Sequence, residues 1–226
     1  ELIPGDEATI DNDALGVDAA ADALERHLDR RAVLDQEALR EPLETGHITI
    51  SRAGRQAHFP ARFQLVAAMN PCPCGWLGAQ AATGRACRCT PQAVDRYRAR
   101  LSGPLLDRID LLVEVPAQHS AELLAAAPGE TTALVAERVD QARAWQQARQ
   151  GLCNANLAVA RLQEAAQMDD AAQRFLQAAA DRLGWSGRAV HRVLKVARTI
   201  ADLAASPRVG VAHVAEAVQY RRTGPL

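Results

Sequence analysis

Residues 40–75 read REPLETGHITISRAGRQAHFPARFQLVAAMNPCPCG, and the pattern of the stretch changes three times. Residues 47–59 alternate and hold Ala53-Gly54 at their middle, which predicts a β-hairpin with its tip near Gly54. Residues 63–69, FQLVAAM, form a short apolar run of the kind a buried strand shows. Asn70-Pro71 follows, and then a loop over 71–91 rich in Pro, Gly and Cys. Open α/β sheets present ligand-holding groups in this order, just beyond the carboxyl ends of their strands. Asn-Pro is also a common turn dipeptide, so on spacing alone Asn70 is either a ligand-holding residue or a turn residue.

Working outward, residues 18–39 read as a helix that Pro42 should end. Downstream, residues 92–101 predict a basic helix, and 111–115 a second apolar strand stopped by Pro116. Beyond that proline the chain becomes helical, with helices expected near 119–126, 131–150, 156–168, 170–183, 187–206 and 211–222. Gly184 stands where a helix should stop, and Ser186 is an N-cap for the next. Val190, Val193, Leu194, Ala197, Ala201 and Ala204 follow helical spacing along that next helix. The expected class is α+β, a partial α/β core followed by an all-α domain. The segments are 1–37, a divergent helical start; 38–118, the strand-containing half; and 119–226, the helical half.

A chain of 226 residues has ample length for a core. No 18-residue apolar run suggests a membrane span, and residues 1–13 are acidic where a secretory signal would be basic and then apolar. A cytoplasmic location is the default expectation. The net charge of −1 gives no general attraction to polyanions, but residues 96–108 set Arg96, Arg98, Arg100 and Arg108 against one acid, Asp107.

Four of the five cysteines form two tight pairs, Cys72-x-Cys74 and Cys87-x-Cys89, with twelve residues between them. Four thiolates can close a tetrahedral zinc site, and a metal would order a loop with few residues for a core. The Cys-x-Cys spacing is tighter than the usual one, so free thiols on a loop are the other reading. Cys153 stands apart. Arg108 lies between two acids just before the second apolar run. It is either a local ion pair or a phosphate clamp, for which the planar guanidinium is well suited. Arg188 opens a helix and shares a face with Arg192 and Lys195. An arginine in a first turn opposes the helix dipole, which points to an anionic partner; a solvated basic face is the alternative.

These pieces occur together and in order. Residues 40–75, then CRCTPQAVDRYRARLSGPLLDRIDLLVEVP (87–116), SGRAVHRVLKVARTIADL (186–203) and HVAEAVQYR (213–221), closely resemble the ComM/YifB family of magnesium-chelatase-like AAA+ ATPases. The resemblance covers roughly residues 38–222. It implies that Asn70 is the sensor 1 residue that polarises the attacking water, and that Arg108 is the arginine finger reaching the ATP of a neighbouring subunit. It also implies that Arg188 is the sensor 2 arginine touching the phosphates from a helical lid, and that the 47–59 hairpin faces the pore of a ring. Arg52 and Arg55 at its tip suit contacts with DNA phosphates; solubilising charge on an exposed turn is their plain reading. ATP and Mg²⁺ are the implied cofactors. A homo-hexamer is the implied assembly, and ATP-driven DNA branch migration in natural transformation the implied activity.

The chain departs from the family pattern in two places. No GxxxxGK[ST] phosphate loop occurs, and no apolar strand ending in Asp-Glu precedes residue 40. By itself this chain is therefore expected neither to grip ATP nor to hydrolyse it. Two other classes compete with the motor reading: a non-catalytic helical module with a zinc loop, and a chelatase subunit acting on a porphyrin. The cysteine insertion favours ComM/YifB over the chelatase.

Overall fold

The computed structural model describes residues 38–52 and 55–221. The helix expected over 18–39 lies outside them except for its last two residues, which form a turn. The described residues fall into two compact units divided between Arg62 and Phe63.

The first unit is a short helix leading into a hairpin. Helix α1 (Arg40–Thr45) carries Pro42 at its third position, buried, rather than ending before it. A helix's first turn has no internal acceptors for its N–H groups, so a proline there removes no hydrogen bond. Gly46 ends α1 at φ 74°, and a Cβ at this position would lie 3.1 Å from Arg62 Cγ. Both the left-handed backbone and the crowding favour glycine. Strands β1 (His47–Arg52) and β2 (Arg55–Pro60) pair antiparallel in the register His47↔Pro60 to Arg52↔Arg55. Glu41 Oε1 accepts from the Thr49 N–H at 3.1 Å, tying α1 to β1. Ile48, Ile50 and Phe59 remain exposed.

In the second unit both expected strands are missing. Residues 63–69 and 111–115 carry no regular structure, and Val66 and Val115 are 80% and 86% exposed. An apolar run becomes a strand only where a neighbour satisfies its backbone groups. The one sheet among the described residues is the hairpin. The 111–115 segment is instead pinned by the Leu112 N–H, which donates to Tyr220 O at 2.9 Å.

The rest of this unit is helical: α2 (Gln80–Thr83), α3 (Pro91–Arg98), α4 (Gly103–Leu106), α5 (Ser120–Ala125), α6 (Thr132–Gln150), α7 (Val159–Ala166), α8 (Asp170–Leu183), α9 (Gly187–Leu203) and α10 (Val211–Gln219). Local chemistry sets most of the ends. The side chains of Thr131, Asp169 and Ser186 accept from the N–H groups of Leu134, Ala172 and Ala189, capping α6, α8 and α9. Gly184 closes α8 at φ 62°. Helix α9 stops at Leu203, short of the expected 206, and Ala204 is exposed beyond it. The core is built mostly of small and branched residues, with Leu162, Ala166, Ala172, Val193, Ala197, Ala201 and Val214 each at most 1% exposed. Small side chains let α9 approach α6, α7 and α10 closely, and α8 packs on α10.

A buried ion network closes the bundle. The Asp202 carboxylate on α9, 2% exposed, receives both Nη atoms of Arg149 at 2.7 and 3.0 Å and Arg198 Nε at 3.1 Å. Asn154 Nδ2 adds a fourth hydrogen bond at 2.8 Å. Arg198, fully buried, also donates to the carbonyls of Ala166, Ser206 and Pro207. Burial alone would push the Asp202 pKa up. Hydrogen bonds from Arg149 and Asn154 and the charges of Arg198 and Arg149 outweigh it and hold the carboxyl below its usual value.

A folded pKa below the unfolded value of about 3.9 means that this contribution is complete above that pH and lost as pH falls through the folded value. We therefore expect Asp202→Ala to cost about 3–5 kcal/mol in urea unfolding at neutral pH, with the deficit shrinking below about pH 4. A loss under about 1 kcal/mol would remove the network from the account.

Candidate functional site

The loop between the two cysteine pairs folds back on itself. Gly75 turns it at φ 79°, with its N–H donating to Cys72 O at 3.0 Å, and Gly78 and Gly84 also adopt positive φ. Arg85 stacks its guanidinium 4.6 Å from the Trp76 ring centre, covering the excursion. The result places Cys72 Sγ 3.4 Å from Cys74 Sγ and 3.7 Å from Cys87 Sγ, with Cys74 and Cys87 sulfurs 3.6 Å apart. The four sulfurs, Cys89 included, lie within 4.8 Å of one another. A tetrahedral ion with Zn–S bonds of about 2.3 Å needs sulfurs about 3.8 Å apart, so the donor set fits a metal of this type. None of the four is in a disulfide.

The electrostatics agree with the geometry. Backbone N–H groups of Arg88 and Trp76 bring the Cys74 pKa down to about 6. At Cys89 the Cys74 backbone amide pulls the thiol down, but desolvation and the neighbouring sulfurs prevail and push it up to about 12. One thiolate forms readily and the last resists a growing negative charge. A divalent cation would remove that resistance.

Asn70 is exposed and lies at the end of the extended 63–69 segment. Its carboxamide faces Gly75: a Cβ on that glycine would lie 3.9 Å from Asn70 Cγ. The sensor candidate and the cysteine loop are thus neighbours.

Arg108 follows α4, whose N-cap Ser102 and Pro104 set a single tight turn. Its side chain folds back so that Nη1 donates to Pro104 O at 2.7 Å. The backbone around it is held from the helical elements. Arg192 Nη1, on α9, donates to Arg108 O at 2.8 Å and to Asp110 Oδ1 at 2.5 Å. Arg221, just past α10, donates from Nη1 to Ile109 O at 2.8 Å, and from Nη2 to Asp107 O at 3.2 Å and Asp107 Oδ1 at 3.3 Å.

Arg188 is exposed in the first turn of α9, one turn before Arg192. The expected common basic face is therefore divided: Arg192 is committed to the Arg108 segment, and Lys195 Nζ donates to Ala155 O at 2.8 Å. Arg52 and Arg55 are register partners at the turn end of the hairpin, where residues 53 and 54 lie outside the described set.

The structure brings the four cysteines together, sets Asn70 beside their loop, and joins the Arg108 segment to the helix that bears Arg188. The sequence reading missed Arg221. Its only signal was a basic residue directly after the last helix, which is also where an arginine favours a helix dipole.

The chain is similar to known proteins over most of its length. Residues 25–123 match the family described as magnesium chelatase, subunit ChlI, and residues 129–221 match magnesium chelatase, subunit ChlI C-terminal. Among curated relatives, competence protein ComM of Haemophilus influenzae is 48% identical over 192 residues, which is 84% of this chain and 36% of that protein. YifB of Escherichia coli, an uncharacterised protein, is 41% identical over 219 residues, 96% of this chain and 41% of its own length. An uncharacterised protein of Mycobacterium tuberculosis is 43% identical over 192 residues, 83% of this chain and 37% of its own length. The chain belongs to the magnesium-chelatase-like ComM/YifB family. It spans well under half the length of these relatives. No helix among the described residues is long and apolar enough to cross a membrane.

For the cysteine cluster we expect protein purified without chelator to carry close to one zinc per chain by metal analysis. Replacing Cys74 and Cys87 with serine should abolish it and lower the melting temperature. A metal-free chain whose stability is unchanged by both substitutions would contradict the site.

Proposed function

We propose that this chain is the sensing and transition-state-stabilising part of a ring-forming AAA+ ATPase whose full-length form couples ATP hydrolysis to remodelling of branched DNA. In this reading residues 38–118 are part of the ATPase core and residues 119–226 its helical lid. The runs 63–69 and 111–115, irregular in this structure, would become strands only where neighbours in the full-length core pair their backbone groups. Membership of the ComM/YifB family and a relative named as a competence protein support the reading.

The observation that carries it is the docking of the Arg108 segment on α9 through Arg192. Phosphoryl transfer asks little of the protein beyond positioning and positive charge. ATP with Mg²⁺ supplies the phosphoryl group and part of the charge neutralisation. Asn70, an amide with both donor and acceptor, orients the attacking water. Arg188 contacts phosphate oxygens held in the same subunit. Arg108 reaches the nucleotide of the adjacent subunit, which makes turnover depend on assembly. Arg52 and Arg55 at the hairpin tip meet DNA phosphates in the pore, and a zinc ion on Cys72, Cys74, Cys87 and Cys89 fixes the loop beside Asn70. A second reading, a non-catalytic docking module ordered by metal, is favoured by the cysteine cluster and separated by the same experiment.

In the full-length polypeptide, Arg108→Ala should spare nucleotide binding and abolish turnover, by the order of 10³–10⁵ that an arginine finger contributes. Arg188→Ala should weaken both. In mixed rings, Arg108→Ala subunits should regain turnover beside a binding-dead partner with intact Arg108, while Arg188→Ala subunits should not. The reverse pattern of rescue would exchange the two roles. Unchanged hydrolysis in both variants would overturn the roles given to Arg108 and Arg188, leaving both as surface ion pairs and this chain as a docking module within the polypeptide.

A further inference from the structure

We propose that Arg192 and Arg221 are positioning residues for Arg108, and that through Arg192 a displacement of α9 sensed at Arg188 is passed to the arginine offered to the next subunit. The inference rests on the roles proposed above for Arg108 and Arg188.

Three consecutive carbonyls, those of Asp107, Arg108 and Ile109, each accept from a guanidinium that belongs to the helical elements. Arg192 is only 18% exposed at its side chain and Arg221 8% exposed overall, so both work largely out of water, where such hydrogen bonds are stronger. The same Arg192 Nη1 also meets Asp110, and Arg221 also meets Asp107, so a carboxylate on each flank of Arg108 is engaged. The Leu112 N–H to Tyr220 O bond extends the attachment one step further along the chain.

Without these bonds the segment after α4 would be a short turn with exposed carbonyls. With them, the Arg108 backbone moves with α9 and the end of α10, while the local bond to Pro104 holds its side chain back on α4.

Arg188 and Arg192 lie four residues apart on one continuous helix, about 6 Å along its axis. Helix α9 packs Val193, Leu194, Ala197 and Ala201 into the core and anchors Asp202 and Arg198 at its far end. A shift at Arg188 therefore moves Arg192 with it, and the Arg108 backbone follows. Occupancy of a subunit's own nucleotide site is in this way linked to the finger that the subunit supplies to its neighbour. Both contacts come from one nitrogen, Nη1, so a lysine at 192 would keep the charge and a donor but lack the rigid guanidinium plane that aims it.

The test uses the full-length polypeptide with Arg108→Ala as reference. Arg192→Ala should lower kcat by about 10²-fold, the order that a misplacement near 1 Å costs, with ATP affinity near that of the parent. It should also flatten the dependence of turnover on ATP concentration. Arg192→Lys should recover part of kcat. Asp110→Asn, which alters only an exposed partner, should lower cooperativity while the protein melts as the parent does. Amide exchange at residues 107–112 should quicken in Arg192→Ala and in Arg221→Ala. If Arg108→Ala abolishes turnover but Arg192→Ala and Asp110→Asn leave kcat and cooperativity unchanged, the clamp is structural only and this inference is overturned while the finger stands. If Arg108→Ala is silent, both fall.

Discussion

Asp202 lies 2% exposed near the end of α9, with two guanidiniums and a carboxamide on its two oxygens. Helix α9 can occupy its place only while that set is complete, because a buried carboxylate without partners costs several kcal/mol. The set draws from α6, from the turn at residues 154–156 and from α9 itself. Arg198 then reaches across to the end of α7 and to the turn after α9. Three helices are thus held in one geometry by directional bonds, in a core whose alanines supply close contact but little specificity.

The two ends of α9 divide the labour. Its C-terminal half is anchored by the ion network, and its N-terminal half carries Arg188 outward and Arg192 inward. A helix fixed at one end and loaded at the other suits a lever. The segment that Arg192 and Arg221 hold has little structure of its own: one turn of α4 and an extended run whose apolar residues face outward. Order at Arg108 is borrowed from the helical elements, and this is why two arginines distant in sequence matter to it.

Much of the helical part was legible. Gly184 and Ser186 are cap residues with a direct physical role, and the end of α8 and the start of α9 fall where they indicate. The end of α9 was overread because Ala204 extends the apolar spacing past the last residue that has anything to pack against. The hairpin was readable from alternation around Gly54. Residues 63–69 and 111–115 were misread as formed strands. Their composition speaks of burial, but a strand depends on a neighbour that a local pattern cannot supply. At the site, the paired cysteines announced themselves, and the structure closes them despite their tight spacing. Arg192 was visible only as part of a basic face and Arg221 not at all, since their partners are backbone carbonyls more than eighty residues away.

The central claim is that Arg108 is presented to a neighbouring subunit's nucleotide while Arg188 serves its own. The most direct measurement is an electron cryo-microscopy structure of the full-length protein, assembled with a non-hydrolysable ATP analogue, Mg²⁺ and branched DNA. The account predicts the Arg108 guanidinium within hydrogen-bonding distance of a terminal phosphate bound by the adjacent subunit. It also predicts Arg188 on the nucleotide of its own subunit, with the Arg192 contacts to Arg108 O and Asp110 kept. A ring in which Arg108 points away from every nucleotide, or an assembly in which no subunit interface includes the 103–112 segment, would contradict it.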